Sequence, residues 1–450
     1  MKAEEIDANA FGPVSRQDWL KVVERALKGA DFAQTLVSAS DDGIAIEPLY
    51  QRRQNATPQH RRRPLSPWVV SQRMDDPDLQ RAFVQLDNDL ANGATGVSLV
   101  FPACAASYGL GLDGDLEIDG LTARLATALS GRSLALRLEG ASPMTALSLA
   151  DALSANTVEM HFGLGVTAME PAAATVELFR RIRANGTSST VLKADGRSVH
   201  NAGGTEAQEL AVMAAALIYH LRRMETSGIG ADEVLSAVGL CLAADQDQFM
   251  TIAKARAARL IFARIAEACG VSTAPSAYLF METSYRMLTR LDPETNLLRN
   301  TIAVFAAGVG GADEISVLPH TLVRGIPDPL ARRLARNTQT ILIAESHLDH
   351  VSDPAAGAGG IEALTEALAE KAWEIFTGIE RDGGLGAVMA SGRLASRIAE
   401  TRANRPARQI VGTNLFPAKT ERPVSVLGPL RAIEAGMGLR PVRLDEEGSN

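Results

Sequence analysis

His200 is the residue whose type and place are best suited to chemistry, because histidine exchanges protons near neutral pH and the chain has only seven histidines. It stands in the segment SVHNAGG at 198–204, after a predicted strand and before a predicted helix. In a parallel barrel this place is the rim where catalytic groups lie. His200 is therefore a candidate general acid or a hydrogen-bond donor to a carbonyl group, and the alternative is that it caps or braces its loop.

A second group, at 345–350, contains residue types that bind metals. Glu345, His347, Asp349 and His350 are spaced to share about one helical turn. Their segment, ESHLDHVSDP, breaks into loop. We interpret the group as a solvated polar turn and predict no metal site.

Two further motifs raise the question of phosphate binding. The run from Gly109 to Gly114 fits GxGxxG, but it is not set tightly between a strand and a helix and lacks an acidic partner at the right distance. A glycine-rich turn over a barrel mouth is the favoured interpretation. The arginines at 52, 53 and 61–63 suit either a grip on phosphates or a solvated charge run.

The elements that position these residues are short apolar runs alternating with amphipathic helices from about residue 68. Strand followed by helix, repeated seven or eight times over some 300 residues, predicts an α/β fold with a closed (β/α)8 TIM barrel. Residues 341–344 form either a last strand or part of a helix. The predicted strands are 97–101, 134–138, 158–162, 189–192, 238–242, 276–280 and 315–318.

Helix starts are marked by capping residues. Thr205 with Gln208 forms a capping-box pattern, and Asp245 with Gln248 resembles it. Asp292 and Asp328 each precede a proline, which predicts an N-cap followed by the first helical residue.

Three regions follow from these patterns. Residues 1–67 form an N-terminal helix and an extended arm, residues 68–405 form the barrel, and residues 406–450 form a covering or linker segment rich in proline, glycine and charge. The chain length of 450 residues fits one large barrel with extensions.

The composition excludes several classes of function. A formal net charge of -8 argues against non-specific nucleic-acid binding, which needs positive charge. The sequence has no apolar run long enough to span a membrane, and its polar N-terminus resembles no signal peptide. Three cysteines without CxxC spacing predict reduced thiols, and we expect a cytoplasmic protein.

A family resemblance is carried by two adjoining blocks. Residues 281–320 read METSYRMLTRLDPETNLLRNTIAVFAAGVGGADEISVLPH, and residues 327–376 continue with PDPLARRLARNTQTILIAESHLDHVSDPAAGAGGIEALTEALAEKAWEIF. Both are similar to the barrel of the methylmalonyl-CoA mutase family, and GIAIEPLY at 43–50 resembles the segment before that barrel. The resemblance implies a (β/α)8 barrel in an adenosylcobalamin-dependent acyl-CoA mutase.

Departures from the catalytic members of the family concern the residues that do chemistry. None of the seven histidines lies in the D-x-H-x-x-G motif of the cobalamin domain, which we expect this chain to lack. Trp68 is followed by VVSQRMDDPDLQ, which contains no tyrosine. SVHNAG replaces the family's G-Y-H-M-Q-E-A-G loop, so His200 matches its histidine only if two residues are deleted. The stretches DPDLQRAFVQLDNDLANGA and VHNAGGTEAQEL resemble the small-subunit branch of the family instead.

The resemblance therefore implies a non-catalytic partner of a large catalytic subunit. That subunit would provide the main binding site for adenosylcobalamin, and this chain alone would hold no cofactor. The alternative is an acyl-CoA-binding barrel that becomes catalytic with a separate cobalamin-binding protein. If acyl-CoA binds this chain, rim position and family match place five residues near it: His200, Tyr285, Arg286, Arg336 and Gln339.

Overall fold

The computed structural model describes residues 12, 14–59, 65–112, 118–153, 158–166, 172–184 and 189–447. The arginines at 61–63 and the end of the GxGxxG run therefore lie outside the described residues. The N-terminal region carries helices α1 (Arg16–Leu27) and α2 (Phe32–Leu36) and an antiparallel pair, β1 (Ser38–Ala39) and β2 (Ala45–Ile46). Its arm packs along the barrel, where the backbone N–H of Arg53 donates to the carbonyl of Gly357.

Eight parallel strands of the described chain close into a barrel, as the alternation of elements predicts. Each strand pairs with the next along the chain, and β10 pairs with β3 to close the ring. The strands are β3 (Val69–Met74), β4 (Gly96–Val100), β5 (Leu134–Glu139), β6 (Val158–Leu164), β7 (Thr190–Asp195), β8 (Val238–Ala244), β9 (Tyr278–Thr283) and β10 (Glu314–Ser316).

Helices surround the barrel and pack apolar side chains against its outer face. Among the described residues, no helix has both the length and the apolarity needed to cross a bilayer. The helices are α3 (Leu79–Ala91), α4 (Ile118–Leu129), α5 (Pro143–Ala152), α6 (Ala172–Ala184), α7 (Arg197–Asn201), α8 (Glu206–Glu225), α9 (Ala231–Ser236), α10 (Gln248–Ala268), α11 (Thr295–Val309), α12 (Pro329–Ala344), α13 (Gly359–Arg381), α14 (Gly384–Ala390) and α15 (Arg393–Ala403).

The eighth strand is β3, which the apolar pattern did not reveal. Its residues VVSQRM contain three polar side chains, and all three are buried. Ser71 and Arg73 contact residues of other strands inside the barrel, whereas Gln72 bonds to Asp89 of α3 on the outside. The possible strand near 341–344 is the last turn of α12.

Two of the four predicted helix starts are confirmed. Thr205 and Gln208 form the capping box of α8, and Asp328 caps α12. The cap of α10 is Asp247, so the prediction of Asp245 was wrong by two residues. Helix α11 begins at Thr295, after a turn that contains Asp292.

The barrel interior is filled with charged and aromatic side chains. Arg137 pairs with Glu314 across the barrel and lies over the ring of Phe280, with its guanidinium carbon 4.0 Å from the ring centroid. The hydroxyl of Tyr278 donates to the same carboxylate at 3.2 Å, and the ring of His161 stacks on Tyr278. Since Arg137 and Phe280 are each 1% exposed, packed side chains occupy the axis at this depth.

Residues 426–444, which we call the mouth strap, cross the end of the barrel where the strands terminate. The strap is joined by backbone hydrogen bonds to rim loops in succession, at Ile326, Gly109, Asn201 and Arg286. At Gly109, φ is +84° and a Cβ atom would lie 2.5 Å from the carbonyl oxygen of Arg431. Glycine is therefore required where the strap passes over this turn.

We predict that Arg137→Met lowers the free energy of unfolding by about 3–5 kcal/mol, because Glu314 is left buried without its cation. Urea denaturation at pH 7 measures the change. The double variant Arg137→Met/Glu314→Leu removes both charges and should recover at least half of the loss. A single variant within about 1 kcal/mol of the parent protein would contradict this account of the core.

Candidate functional site

Four cations and four carboxylates meet where the strands of the barrel end, and we call this group the mouth network. Its members come from β3, β5, β7, β9, α7, α12 and the turn after β3. All are buried except Asp195, whose side chain is 19% exposed. The members are Arg73, Asp75, Glu139, Lys193, Asp195, Arg197, Glu282 and Arg332.

Glu139 binds two of these cations. The ammonium of Lys193 lies 2.6 Å from Glu139 Oε2, and the guanidinium of Arg197 lies 3.0 Å from the same oxygen. Arg197 also reaches Asp195 at 2.7 Å and Glu282 at 3.4 Å. One guanidinium therefore links the ends of β5, β7 and β9.

Arg73 closes the other side of the mouth network. Its guanidinium lies 2.7 Å from Asp75 and 2.5 Å from Glu282, and it also donates to the carbonyl of Ala106. Arg332 from helix α12 pairs with Asp75 at 2.7 Å. Every carboxylate of the network thus has a cation within hydrogen-bond distance.

Neighbouring opposite charges keep Glu139 and Lys193 ionised although both are buried. Burial alone would raise the pKa of Glu139, but the positive charges of Arg197 and Lys193 outweigh it and lower that pKa below its ordinary value. Burial would lower the pKa of Lys193, but Glu139 and Asp195 outweigh it and raise that pKa. With four cationic and four acidic side chains, the network is balanced in formal charge.

His200 lies beside the mouth network and is fully buried. Its Nε2 is 2.9 Å from Asp245 Oδ2 and 2.9 Å from the hydroxyl of Ser284. Its Nδ1 faces two carboxylates of α8, at 3.4 Å from Glu206 and 3.4 Å from Glu209. The ring therefore braces the ends of β8 and β9 against the first turn of α8.

His200 is protonated at neutral pH. Burial and the charge of Arg286 disfavour the protonated ring. The Glu206 carboxylate and the hydrogen bond with Asp245 outweigh them and raise the pKa of His200 to about 9. With Lys254 and Arg286, the imidazolium supplies three positive charges against the three carboxylates of Asp245, Glu206 and Glu209.

The carboxylates around His200 have the composition of a metal site, but an ammonium group serves as their cation. One nitrogen of His200 and one oxygen each of Glu206 and Glu209 lie within 4.8 Å of one another. Lys254 is fully buried between the two glutamates and reaches Glu209 at 2.6 Å. His347 and His350 stack at the surface, but within the described ranges they join no group of metal-ligand geometry.

Tyr285 and Arg286 lie at the mouth with His200. The ring of Tyr285 stacks on Tyr108 with centroids 4.7 Å apart and planes at 5°. Arg286 donates to the carbonyl of Gly204 at 2.8 Å and lies 3.4 Å from Asp245. Both side chains are thus part of the packing beneath the mouth strap.

Arg336 and Gln339 lie elsewhere. Arg336 bonds to Asp89 at 2.5 Å, which ties α12 to α3 on the outside of the barrel. Gln339 accepts a hydrogen bond at 3.0 Å from the indole N–H of Trp68, the residue before β3. The structure therefore separates these two residues from His200, Tyr285 and Arg286.

A cavity of about 490 Å³ lies between the mouth network and the mouth strap. Its polar side is formed by network residues and by Asn201, whose amide donates to the hydroxyl of Tyr108 at 3.0 Å. Its apolar side includes Met437 and Leu439 of the strap.

Sequence reasoning missed the residues that dominate the mouth. Glu139, Lys193 and Glu282 lie one or two residues after runs that were read as buried apolar strands, and Arg137, beneath them, lies inside such a run. A charged residue inside such a run is the signal that could have found them, because burial of a charge requires a partner. The partner itself comes from another strand and cannot be read from local spacing.

Comparisons with known proteins agree on one family. The family model for methylmalonyl-CoA mutase matches residues 158–433. The methylmalonyl-CoA mutase small subunit of Streptomyces virginiae is 36% identical over 98% of this chain and 76% of its own length. The probable methylmalonyl-CoA mutase small subunit of Mycobacterium bovis is 43% identical over 54% of this chain and 41% of its own length. A methylmalonyl-CoA mutase of Rhizobium meliloti is 32% identical over 52% of this chain and 34% of its own length.

We predict that His200→Gln removes a pH-dependent part of the stability. The folded-state pKa of His200, about 9, lies above its ordinary value of 6.5, so its contribution is complete below pH 6.5 and disappears as the pH rises through 9. Urea denaturation should show the parent protein to be more stable than the variant by on the order of 3 kcal/mol at pH 6, and the difference should shrink towards pH 9.5. A difference that does not vary with pH would contradict a protonated His200.

Proposed function

The chain belongs to the methylmalonyl-CoA mutase family, and we propose that it is the small, non-catalytic subunit of a heterodimeric adenosylcobalamin-dependent mutase. The family is an isomerase family and depends on cobalamin. In the proposed complex a large subunit interconverts methylmalonyl-CoA and succinyl-CoA and holds the cofactor. The present chain pairs with that subunit and stabilises it. The names of the Streptomyces and Mycobacterium relatives support this assignment.

The observation that carries the proposal is the occupied barrel. A substrate that enters a barrel along its axis needs space there and unpaired polar groups to recognise it. In this chain Arg137 and Phe280 fill the axis, and the mouth network above them is charge-balanced. Binding an acyl-CoA group inside would require several buried ion pairs to be broken, each at a cost of about 3–5 kcal/mol.

The described residues do not fit a corrin ring. A cobalamin over the mouth would need an open face there, but the mouth strap crosses it and is hydrogen-bonded to four rim positions. His200 matches the loop histidine of the family only if two residues are deleted. It is fully buried and bonded to Asp245 and Ser284. We therefore assign no step of the isomerisation to a group bound by this chain.

A second candidate function is favoured by one observation, the cavity of about 490 Å³ under the strap. Its lining includes Lys193, Arg197 and Asn201, which are able to donate hydrogen bonds to an acyl thioester. This candidate is an acyl-CoA-binding barrel that acts with a separate cobalamin-binding protein. Turnover on mixing the two polypeptides, with no large subunit present, would establish it.

We predict that the purified chain shows no isomerisation of methylmalonyl-CoA with adenosylcobalamin, and that it co-purifies with the large mutase subunit of its own organism when the two are co-expressed. Size-exclusion chromatography and a succinyl-CoA assay measure both results. Failure to form the complex would overturn the proposed pairing, whereas turnover by the isolated chain would overturn the non-catalytic role.

A variant in the assembled complex separates a structural role of His200 from a catalytic one. In a complex that contains His200→Gln, we expect kcat to stay within about twofold of the parent value at pH 8.5, where the imidazolium contributes less stability. A general acid at this position would instead contribute about 10²–10⁴-fold to the rate. A loss of that size in a complex of normal melting temperature would favour the acyl-CoA-binding alternative.

A further inference from the structure

The middle of the mouth strap, residues 432–441, differs from its ends in how it is held, and we call this part the flap. The strap is bonded to the barrel on either side of it, from Arg431 to Gly109 at 3.0 Å and from Val442 to Asn201 at 2.8 Å. Within the described residues, no backbone hydrogen bond joins the flap to the barrel. Its own backbone bonds, between Gly436 and Leu439, form an internal turn.

Side-chain packing keeps the flap closed. Leu439 is 4% exposed and belongs to the main apolar core. At Gly436 the backbone fits between two neighbours so closely that a Cβ atom would lie 2.3 Å from the Cβ of Ala105 and 2.7 Å from the hydroxyl of Ser198. The closed position therefore depends on Leu439 and Gly436, with Ile433 and Met437 half-buried against neighbouring apolar side chains.

The turn at the tip of the flap is conformationally costly. Met437 has φ of +55° and Gly438 has φ of +75°. The left-handed region is unfavourable for a residue such as methionine, which other contacts must hold there. The internal turn between Gly436 and Leu439 and the packing of Met437 over the cavity hold this conformation.

The cavity behind the flap contains groups that water would affect. Lys193, Asp195 and Arg197 of the mouth network line it, as does Cys104. The thiol of Cys104 is 7% exposed and lies 3.6 Å from Glu139 Oε2. Opening the flap would admit solvent to buried ion pairs, and closing it keeps them in a medium where they attract more strongly.

We propose that the flap is a gate that opens about its two anchors, Arg431 and Val442, while the barrel stays folded. In the closed state it covers the side of the cavity that faces the mouth strap, above Lys193, Asp195 and Arg197. This inference is independent of the proposed function, because it concerns access to a cavity within this chain and holds with or without a partner subunit.

Thiol reactivity tests the gate, because the three cysteines differ in exposure. Cys269 is exposed, Cys104 lines the cavity and Cys241 is fully buried in β8. In the full-length chain with Cys269→Ser, the reagent DTNB is followed at pH 8.5 and each modified cysteine is identified by peptide mass. We expect Cys104 to react at least tenfold more slowly than in urea and at least tenfold faster than Cys241.

Two variants open the gate in different ways. Gly436→Val adds a side chain where none fits, and Leu439→Ala removes the buried anchor. Each should accelerate the reaction of Cys104 by tenfold or more without changing that of Cys241, whose rate monitors folding. Arg440→Ala is the matched control, since this flap residue is exposed, and it should leave both rates unchanged.

Two results would overturn the gate. If Cys104 and Cys241 react at the same rate in the parent and in both flap variants, the cavity opens only when the whole chain unfolds. If Cys104 of the parent reacts as fast as it does in urea, the cavity is open to solvent and the flap closes nothing.

Discussion

Buried charge is the constraint on which the rest of this structure depends. Moving an ion out of water costs several kcal/mol even after the protein relaxes, and only close partners of opposite charge offset that cost. The mouth network meets the requirement with four cations and four carboxylates, and the group around His200 meets it with three of each. Because most of the partners come from different strands and helices, the barrel must close in one register for all of them to be satisfied.

The same balance shapes what the barrel can do. Enzyme sites keep polar groups free until a substrate arrives, and their charges are often poised for proton transfer. Here Lys193 and Arg197 are both already bonded to Glu139, and His200 is bonded on one ring nitrogen and faced by two carboxylates on the other. The arrangement stabilises a rigid barrel. In our proposal the partner chain, and not this barrel, carries out the isomerisation. The strap across the mouth is consistent with that role.

Much of the fold was predictable because helices and outward-facing strand residues follow local rules. Alternating elements predicted the closed barrel, and Thr205 with Gln208 marked the start of α8. Strand β3 was missed because its inward face is polar, so VVSQRM lacks the apolar run expected of a buried strand. A barrel lined with ion pairs hides its strands from any method that looks only for hydrophobicity.

The candidate site was predictable only in part, for a related reason. His200, Tyr285 and Arg286 meet at the mouth because each lies within five residues after the end of a strand. Asp245 looked like a helix cap, but it follows β8 and bonds to His200, a partner 45 residues away. Arg336 and Gln339 were placed by family resemblance, yet α12 directs them to α3 and Trp68. Spacing along the chain does not report such long-range pairings.

The most direct test of the central claim is the binding stoichiometry of the assembled heterodimer, measured by isothermal titration calorimetry with succinyl-CoA and separately with adenosylcobalamin. A barrel whose axis is filled by its own side chains, and whose mouth charges are paired with one another, predicts one molecule of each ligand per heterodimer. Two molecules of either ligand per heterodimer would mean that this chain binds the ligand as well, and would contradict the account.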